Sequence, residues 1–231
     1  GASMVPFLMP FDIISVLWFF GVWVGYNLIA DSKWLHHKSV MGFMDAHGSR
    51  WMKEMLRRDL RMIDAMILNH LQGGIALFAS TTILAIGGLI ASLGATEKAI
   101  EVLSSLPFIS GTSRFEWEVK ILLLLLIFVY AFFKFVWSYR LYNYCAVLLG
   151  AVPSSANIDK EAEGQAERTA QIVNLASRHF NRGLRAFYFA LAALTWIIHP
   201  VVFIVATTCV GIVLYRRDFR SRSRRIVRRG A

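Results

Sequence analysis

Long stretches that contain no charged residue limit this chain to a narrow set of folds. Residues 65–96 and 186–215 hold no Asp, Glu, Lys or Arg, and two further apolar stretches occupy residues 11–30 and 117–137. About 20 apolar residues in a helix cross one bilayer. A helix also pairs its own backbone N–H and C=O groups, which is required where hydrocarbon replaces water. The sequence therefore predicts an all-α, polytopic membrane helix bundle.

We expect one membrane domain with about four transmembrane helices, at residues 11–30, 69–93, 117–137 and 186–215. The composition supports this prediction, because 56% of the residues are hydrophobic and 17% are charged, whereas roughly a quarter are charged in soluble proteins. The predicted localisation is the cell membrane, with several passes. Small residues are frequent in span two and allow close helix packing in lipid, so we also predict a homo-oligomer.

Helical extensions outside the spans are expected to protrude into the cytoplasm. Residues 50–66 carry apolar and charged side chains on opposite sides of an amphipathic helix. A second helix is predicted over residues 159–181, with Asp159 or Asn157 as its N-cap. Span three is expected to continue as a helix to Gly150. The second extension has a face of small residues, namely Ala162, Ala166, Ala170 and Ala176.

Basic residues outnumber acidic ones by 25 to 15, which gives a formal net charge of +10. On a soluble fold such an excess indicates nucleic-acid binding. Here the basic residues lie mainly between and after the apolar stretches, a distribution typical of cytoplasmic segments beside anionic lipid. We therefore predict the bilayer and its anionic lipids as partners, and no nucleic acid.

The positive charges give conflicting indications about topology. The link after span one is rich in Lys and Arg, whereas residues 95–116, predicted as a short loop on the opposite side, hold two basic residues. This asymmetry places the N-terminus outside, yet eight arginines follow span four within the tail 216–231 and would then also lie outside. Either residues 186–215 reverse at Pro200 as a hairpin, or the N-terminus is inside. Because no Gly, Asn or Asp accompanies Pro200, we favour a single kinked or tilted helix.

Ionisable side chains within or beside a span are costly to insert and are therefore candidates for function. His199 lies near the middle of the predicted fourth span, either as a proton-responsive gate or as a neutral side chain that bonds a carbonyl freed by Pro200; we favour the second interpretation. Lys134 either extends to the headgroups, which we favour, or faces the bundle and lines a basic vestibule together with Arg140, Arg182 and Arg185.

Two functional hypotheses follow from these residues. The first is a channel-like or transport protein for a small, anionic solute, whose pathway contains Lys134, Arg140, Arg182, Arg185 and His199. The second is a non-enzymatic scaffold or accessory protein that binds anionic lipid or a partner protein. Its candidate lipid-binding residues are Arg216, Arg217, Arg220, Arg222, Arg224 and Arg225.

Sequence signatures of enzymes are lacking: there is no Gly-rich phosphate loop, no G-x-S-x-G, no H-E-x-x-H and no C-x-x-C-H. Cys145 and Cys209 are far apart and have no metal-binding spacing. We expect no enzyme activity, no metal and no cofactor. A membrane-embedded redox protein with a His-ligated cofactor is a third hypothesis, which visible absorbance would reveal.

Three segments resemble a family of uncharacterised multi-pass membrane proteins that is classified as a domain of unknown function. They are FASTTIL at residues 78–84, IFVYAFFKFVW at residues 127–137 and NRGLRAFYFALA at residues 181–192. The resemblance extends over nearly the whole chain. It implies a membrane helix bundle and implies no activity.

Overall fold

Helices account for almost all of the computed structural model, which describes residues 10–105, 113–153 and 158–228, with only the backbone of Lys33, Arg224 and Arg228. No strand occurs in these ranges. The all-α prediction is confirmed. The helices are α1 (Pro10–Asp31), α2 (Lys33–His36), α3 (Val40–Leu56), α4 (Met62–Gly94), α5 (Thr96–Ser104), α6 (Arg114–Gly150), α7 (Lys160–Leu194), α8 (Pro200–Phe219) and α9 (Arg222–Arg228).

Four of these helices, α1, α4, α6 and α8, are long and apolar enough to cross a membrane. This confirms the prediction of a membrane bundle with about four spans. The 37 residues of α6 measure about 55 Å, more than the hydrocarbon thickness of about 30 Å. The helix therefore projects beyond the apolar layer and ends at Gly150, as expected. Its first turn is fixed by a capping box between Ser113 and Glu116.

The prediction of one helix over residues 186–215 is wrong. α7 continues past its predicted end at residue 181 to Leu194, a short 3-10 turn follows, and α8 begins at Pro200. His199 has an extended backbone (φ −162°, ψ 140°), the conformation that a following proline favours. Proline suits the first turn of a helix because the N–H that it lacks would have no partner there.

The chain reverses direction between α7 and α8. The Arg217 guanidinium lies 5.5 Å from the centre of the Tyr188 ring, although 29 residues would place them about 43 Å apart along one helix. α7 and α8 are therefore antiparallel, as in the hairpin alternative. We call the end of the bundle that holds this turn and Pro10 the hairpin end, and the end that holds Asp31 and Arg217 the basic end.

The predicted amphipathic helix over residues 50–66 is also interrupted. α3 ends at Leu56 and α4 starts at Met62. The fully buried Asp64 carboxylate accepts hydrogen bonds from Arg58 Nη1 at 2.6 Å and from Trp51 Nε1 at 2.7 Å. These bonds hold the intervening residues in a turn, because a buried carboxylate is costly without such partners.

Other predicted connections have mixed outcomes. The Asp159 carboxylate accepts a hydrogen bond from the Ala162 backbone N–H and caps α7 as expected, while Asn157 lies outside the described residues. The alanine face of α7 is at most 2% exposed and packs in the core beside α6. Residues 95–116 contain the helix α5 instead of a plain loop, and residues 106–112 are not described.

Aromatic side chains fill the space between α1, α6, α7 and α8. The Phe19 ring centre lies 5.9 Å from that of Phe189 on α7 and 5.2 Å from that of Phe203 on α8. Phe203 in turn stacks on Trp196 at 5.5 Å. Such rings bury large areas and prefer these offset or edge contacts. The interior formed by these helices is consequently packed with side chains.

Candidate functional site at the basic end

The ends of α1, α6, α7 and α8 bring several ionisable side chains together at the basic end. α1 contributes Asp31 after an apolar helix, α7 contributes two arginines where its polar half meets its apolar half, and α8 contributes residues of its last turns. We call the whole group the basic-end cluster; it consists of Tyr26, Asn27, Asp31, Tyr130, Lys134, Arg182, Arg185, Tyr188, Arg217 and Asp218.

Asp31 is the acceptor for two arginines in this cluster. Arg182 Nε lies 2.8 Å from Asp31 Oδ2, and Arg185 Nη1 lies 3.1 Å from Asp31 Oδ1. Arg185 is only 5% exposed and donates a further bond to Asn27 Oδ1 at 2.9 Å. A buried guanidinium requires such partners, because desolvation of an unpaired charge costs several kcal/mol. These bonds join the last residue of α1 to the middle of α7.

A second contact joins α1 to α8. The Tyr26 hydroxyl donates to Asp218 Oδ2 at 2.5 Å, and the Arg185 guanidinium lies 5.7 Å from the Tyr26 ring centre. The other oxygen of Asp218 is 3.5 Å from Arg217 Nε. Tyr26 therefore links the ion pair of Asp31 and Arg185 to Asp218 and Arg217 near the end of α8.

The cluster carries more positive than negative charge. Lys134 Nζ lies 5.1 Å from the centre of the Tyr130 ring and within electrostatic range of Arg182 and Asp31. The four cations of the cluster face two carboxylates, an excess of two positive charges. A partly buried excess of this sign attracts anions more strongly than it would in bulk water. The arrangement can therefore hold an anionic group at the basic end.

Of the predicted solute-pathway residues, Lys134, Arg182 and Arg185 meet in this cluster and two do not. Arg140 lies six residues beyond Lys134, which turns it about 240° around α6. It is exposed and its Nε donates to the Tyr144 hydroxyl at 2.7 Å. The predicted basic vestibule is thus only partly formed, and Asp31 offsets much of its charge.

His199 lies at the hairpin end, so its predicted position near the middle of a span is wrong. The chain reverses beside it, which places the imidazole on the exposed surface. Its Nδ1 accepts a hydrogen bond from the Val201 backbone N–H at 3.1 Å. The favoured interpretation, a bond to a carbonyl freed by Pro200, is also wrong, since the imidazole acts as the N-cap of α8.

Residues missed from the sequence are the acidic and amide partners. Asp31 follows the first predicted span directly, and neither it nor Tyr26, Asn27 and Asp218 is among the predicted site residues. A signal was present, because each carboxylate at the edge of an apolar helix needs a cation at the same depth. What the sequence lacks is the pairing between residues more than 150 positions apart.

The predicted lipid-binding residues follow the cluster on α8 and α9. Arg216, Arg220, Arg222 and Arg225 are exposed, and no described carboxylate lies within ion-pair distance of any of them. Arg217 differs, since it belongs to the cluster. The side chain of Arg224 lies outside the described part of the chain. The unpaired arginines form a basic surface next to the cluster.

The hairpin end holds a smaller polar group whose charges balance. Asp12 and Lys120 are both buried, with 3.7 Å between Asp12 Oδ1 and Lys120 Nζ. The Trp196 indole donates to the same carboxylate oxygen at 2.7 Å. This group joins α1 and α6 to the turn between α7 and α8. Within residues 10–105, 113–153 and 158–228, no group of three or more His, Cys, Asp or Glu side chains is placed to hold a metal ion.

A family profile described as "Protein of unknown function, DUF599" matches residues 14–223. The chain belongs to this family. The match includes all of α4, α6, α7 and α8, nearly all of α1, and therefore the whole basic-end cluster. It confirms the resemblance seen in the sequence and assigns no activity. No curated protein and no solved structure shows significant similarity to the chain.

Proposed function

We propose that this protein is an accessory protein of the cell membrane whose basic end binds anionic lipid on the cytoplasmic side. One observation carries the proposal: the hairpin returns the arginines of α8 and α9 to the end that already holds Arg182 and Arg185. Among the described residues, only Lys98, Arg114 and Lys120 are basic residues toward the hairpin end. A charge asymmetry of this kind is characteristic of cytoplasmic ends.

The hairpin also supports an arrangement that avoids the conflict about topology. The apolar half of α7 lies among the candidate spans, with Phe189 against Phe19 and Phe187 against Phe128. If this half crosses the bilayer, the chain makes five passes through α1, α4, α6, α7 and α8. The N-terminal end of α1 is then outside, and every basic link, including the arginine tail, is inside. The positive-inside bias is satisfied throughout.

The packed interior favours the lipid-binding proposal over a channel for anions. Aromatic rings occupy the space between α1, α7 and α8, and Asp31 pairs with two of the cations expected at a pore mouth. By contrast, four exposed arginines of α8 and α9 have no described carboxylate partner, namely Arg216, Arg220, Arg222 and Arg225. Each Lys or Arg near an anionic surface gains about 1 kcal/mol, so several exposed arginines together give stable binding.

Lipid selectivity of the full-length protein tests this proposal. The protein is solubilised from vesicles of phosphatidylglycerol and phosphatidylcholine, and the lipids that remain bound are quantified. We expect enrichment of phosphatidylglycerol that decreases at high salt and falls at least twofold in Arg216→Gln/Arg220→Gln. The matched control is Lys98→Gln/Arg114→Gln at the hairpin end, which should retain the enrichment. Equal retention of both lipids by the unaltered protein would contradict the proposal.

Cysteine labelling tests the topology independently. In a Cys209→Ser background, Lys98→Cys should react with a membrane-impermeant maleimide on intact cells. Arg220→Cys should react only after the membrane is permeabilised. The remaining Cys145 is fully buried and gives little background. Labelling of both positions from the same side would contradict the five-pass arrangement.

A further inference from the structure

A groove between α7 and α8 lies on the outer surface of the bundle and reaches the basic-end cluster at Tyr188 and Arg217. Its volume is about 390 Å³. Leu191 of α7 and Cys209, Val210 and Val213 of α8 form its apolar walls, while Tyr188 and Arg217 stand at its basic end. An apolar groove that ends at a cation complements a lipid, because the acyl chain can lie along the apolar walls while the headgroup meets the cation.

The direction of the groove matches that of a lipid acyl chain. From Cys209 to Arg217 it follows eight residues of α8, about 12 Å along the helix axis. α8 is one of the helices apolar enough to cross a membrane, so a groove parallel to its axis also runs along the acyl chains. Arg217 lies in the last turn of the helix, where the apolar part ends and headgroups begin.

The charges around Arg217 favour a phosphate group. The guanidinium packs on the Tyr188 ring and its side chain remains 45% exposed. Its carboxylate neighbour, Asp218, is shared with the Tyr26 hydroxyl. Arg216 and Arg220 lie within three residues of it in the sequence and have no described carboxylate partner. Arginine presents several N–H donors in a planar fork that matches phosphate oxygens, and two further unpaired cations disfavour a headgroup that carries its own positive charge.

We propose that this groove holds one acyl chain of an anionic glycerophospholipid whose phosphate binds Arg217. The inference rests on the proposed function and makes it specific, because it assigns a lipid to one defined position instead of to the basic surface as a whole. The bound lipid covers Cys209, whose thiol is exposed in the groove, whereas Cys145 is buried. The chain therefore contains a natural reporter for occupancy.

Alkylation of Cys209 by N-ethylmaleimide in detergent micelles measures that occupancy. Addition of phosphatidylglycerol should slow the reaction at least threefold, and the same amount of phosphatidylcholine should have little effect. Arg217→Gln should lose this protection, whereas Arg140→Gln, which removes an exposed arginine of the same end outside the groove, should keep it. Equal protection of the Arg217→Gln variant would overturn the inference.

A second pair of variants tests the groove itself. Val213 and Ile212 are adjacent and both largely exposed, at 61% and 54%, but only Val213 lines the groove. Val213→Trp should reduce the phosphatidylglycerol bound per protein, measured by native mass spectrometry, while Ile212→Trp should not. Elution as one monodisperse species shows that both variants fold, as expected for changes outside the core.

The outcomes separate the two proposals. If Val213→Trp binds as much phosphatidylglycerol as Ile212→Trp, while Arg216→Gln/Arg220→Gln loses the enrichment, the groove is not the site and the proposed function stands. If the unaltered protein binds both lipids equally, both proposals are wrong. If Arg217→Gln and Val213→Trp lose bound phosphatidylglycerol while their controls, Arg140→Gln and Ile212→Trp, keep it, the result supports the groove as the site.

Discussion

The Arg185 guanidinium donates to the Asp31 carboxylate at 3.1 Å, and this ion pair joins α7 to α1 at the level where both helices leave the apolar part of the bundle. Asp12 and Asp31 at the two ends of α1 are separated by 19 residues, about 28 Å, close to one hydrocarbon thickness. Each binds a cation that another helix supplies at the same depth. The acidic residues at the two ends of α1 thus fix how far along the α1 axis the neighbouring helices α6 and α7 lie.

Loss of the Asp31 carboxylate should destabilise the bundle. Asp31→Asn leaves Arg185 buried with an uncompensated charge. We expect a loss of about 2 to 3 kcal/mol in unfolding free energy, below the 3 to 5 typical of fully buried pairs, because Asp31 keeps 29% side-chain exposure. Unfolding in mixed micelles measures the change. Glu118→Gln, at an exposed pair on α6, is the control, and an equal loss in both variants would contradict the prediction.

Gly183 should tolerate no side chain. A Cβ there would lie 2.7 Å from the ring of Phe135 on α6, so Gly183→Ala forces the two helices apart and should cost about 1 to 3 kcal/mol. Phe135→Leu in the same chain should restore part of the loss. Gly164→Ala, on the same helix but with only the end of Arg168 nearby, should instead stabilise the protein slightly. Equal thermal midpoints for the two alanine variants would contradict this account.

His179 should make stability depend on pH. Burial, together with the nearby cations Lys134 and Arg182, lowers the pKa of His179 below its ordinary value of 6.5. The unfolded chain therefore binds a proton at a higher pH than the folded chain, so stability falls as the pH drops below about 6.5. Thermal unfolding between about pH 7.5 and pH 5 tests this sign. His179→Gln should flatten the curve, and a variant with the full original slope would contradict the prediction.

Self-association through α4 stays a prediction that small-residue substitutions can test. Gly73 and Gly87 lie on an exposed face of α4, and a Cβ at either would meet no atom within 4 Å. Gly73→Leu/Gly87→Leu should leave the folded monomer intact but weaken close contact with a second copy. Cross-linking in vesicles measures the dimer fraction. Gly21→Leu on α1, where a Cβ also meets nothing, is the control and should have no effect.

Several features follow from short-range sequence patterns. The start of α7 at its Asp159 cap, its small-residue alanine face and the continuation of α6 to Gly150 were all predicted correctly. These features depend on capping chemistry, on helical periodicity and on the lack of a helix breaker, which involve residues within a few turns of one another. The interruption at residues 57–61 was missed because the contact of Asp64 with Trp51 is a tertiary one.

The sequence by itself determined that this protein is a bundle of apolar helices, because hydrocarbon requires each uncharged stretch to pair its own backbone groups. Only the tertiary structure decided that residues 186–215 reverse instead of crossing once. Proline is compatible with a kink and with the first turn of a new helix. The choice depends on contacts between distant segments, such as Tyr26 with Asp218 and Trp196 with Asp12, which no local pattern encodes.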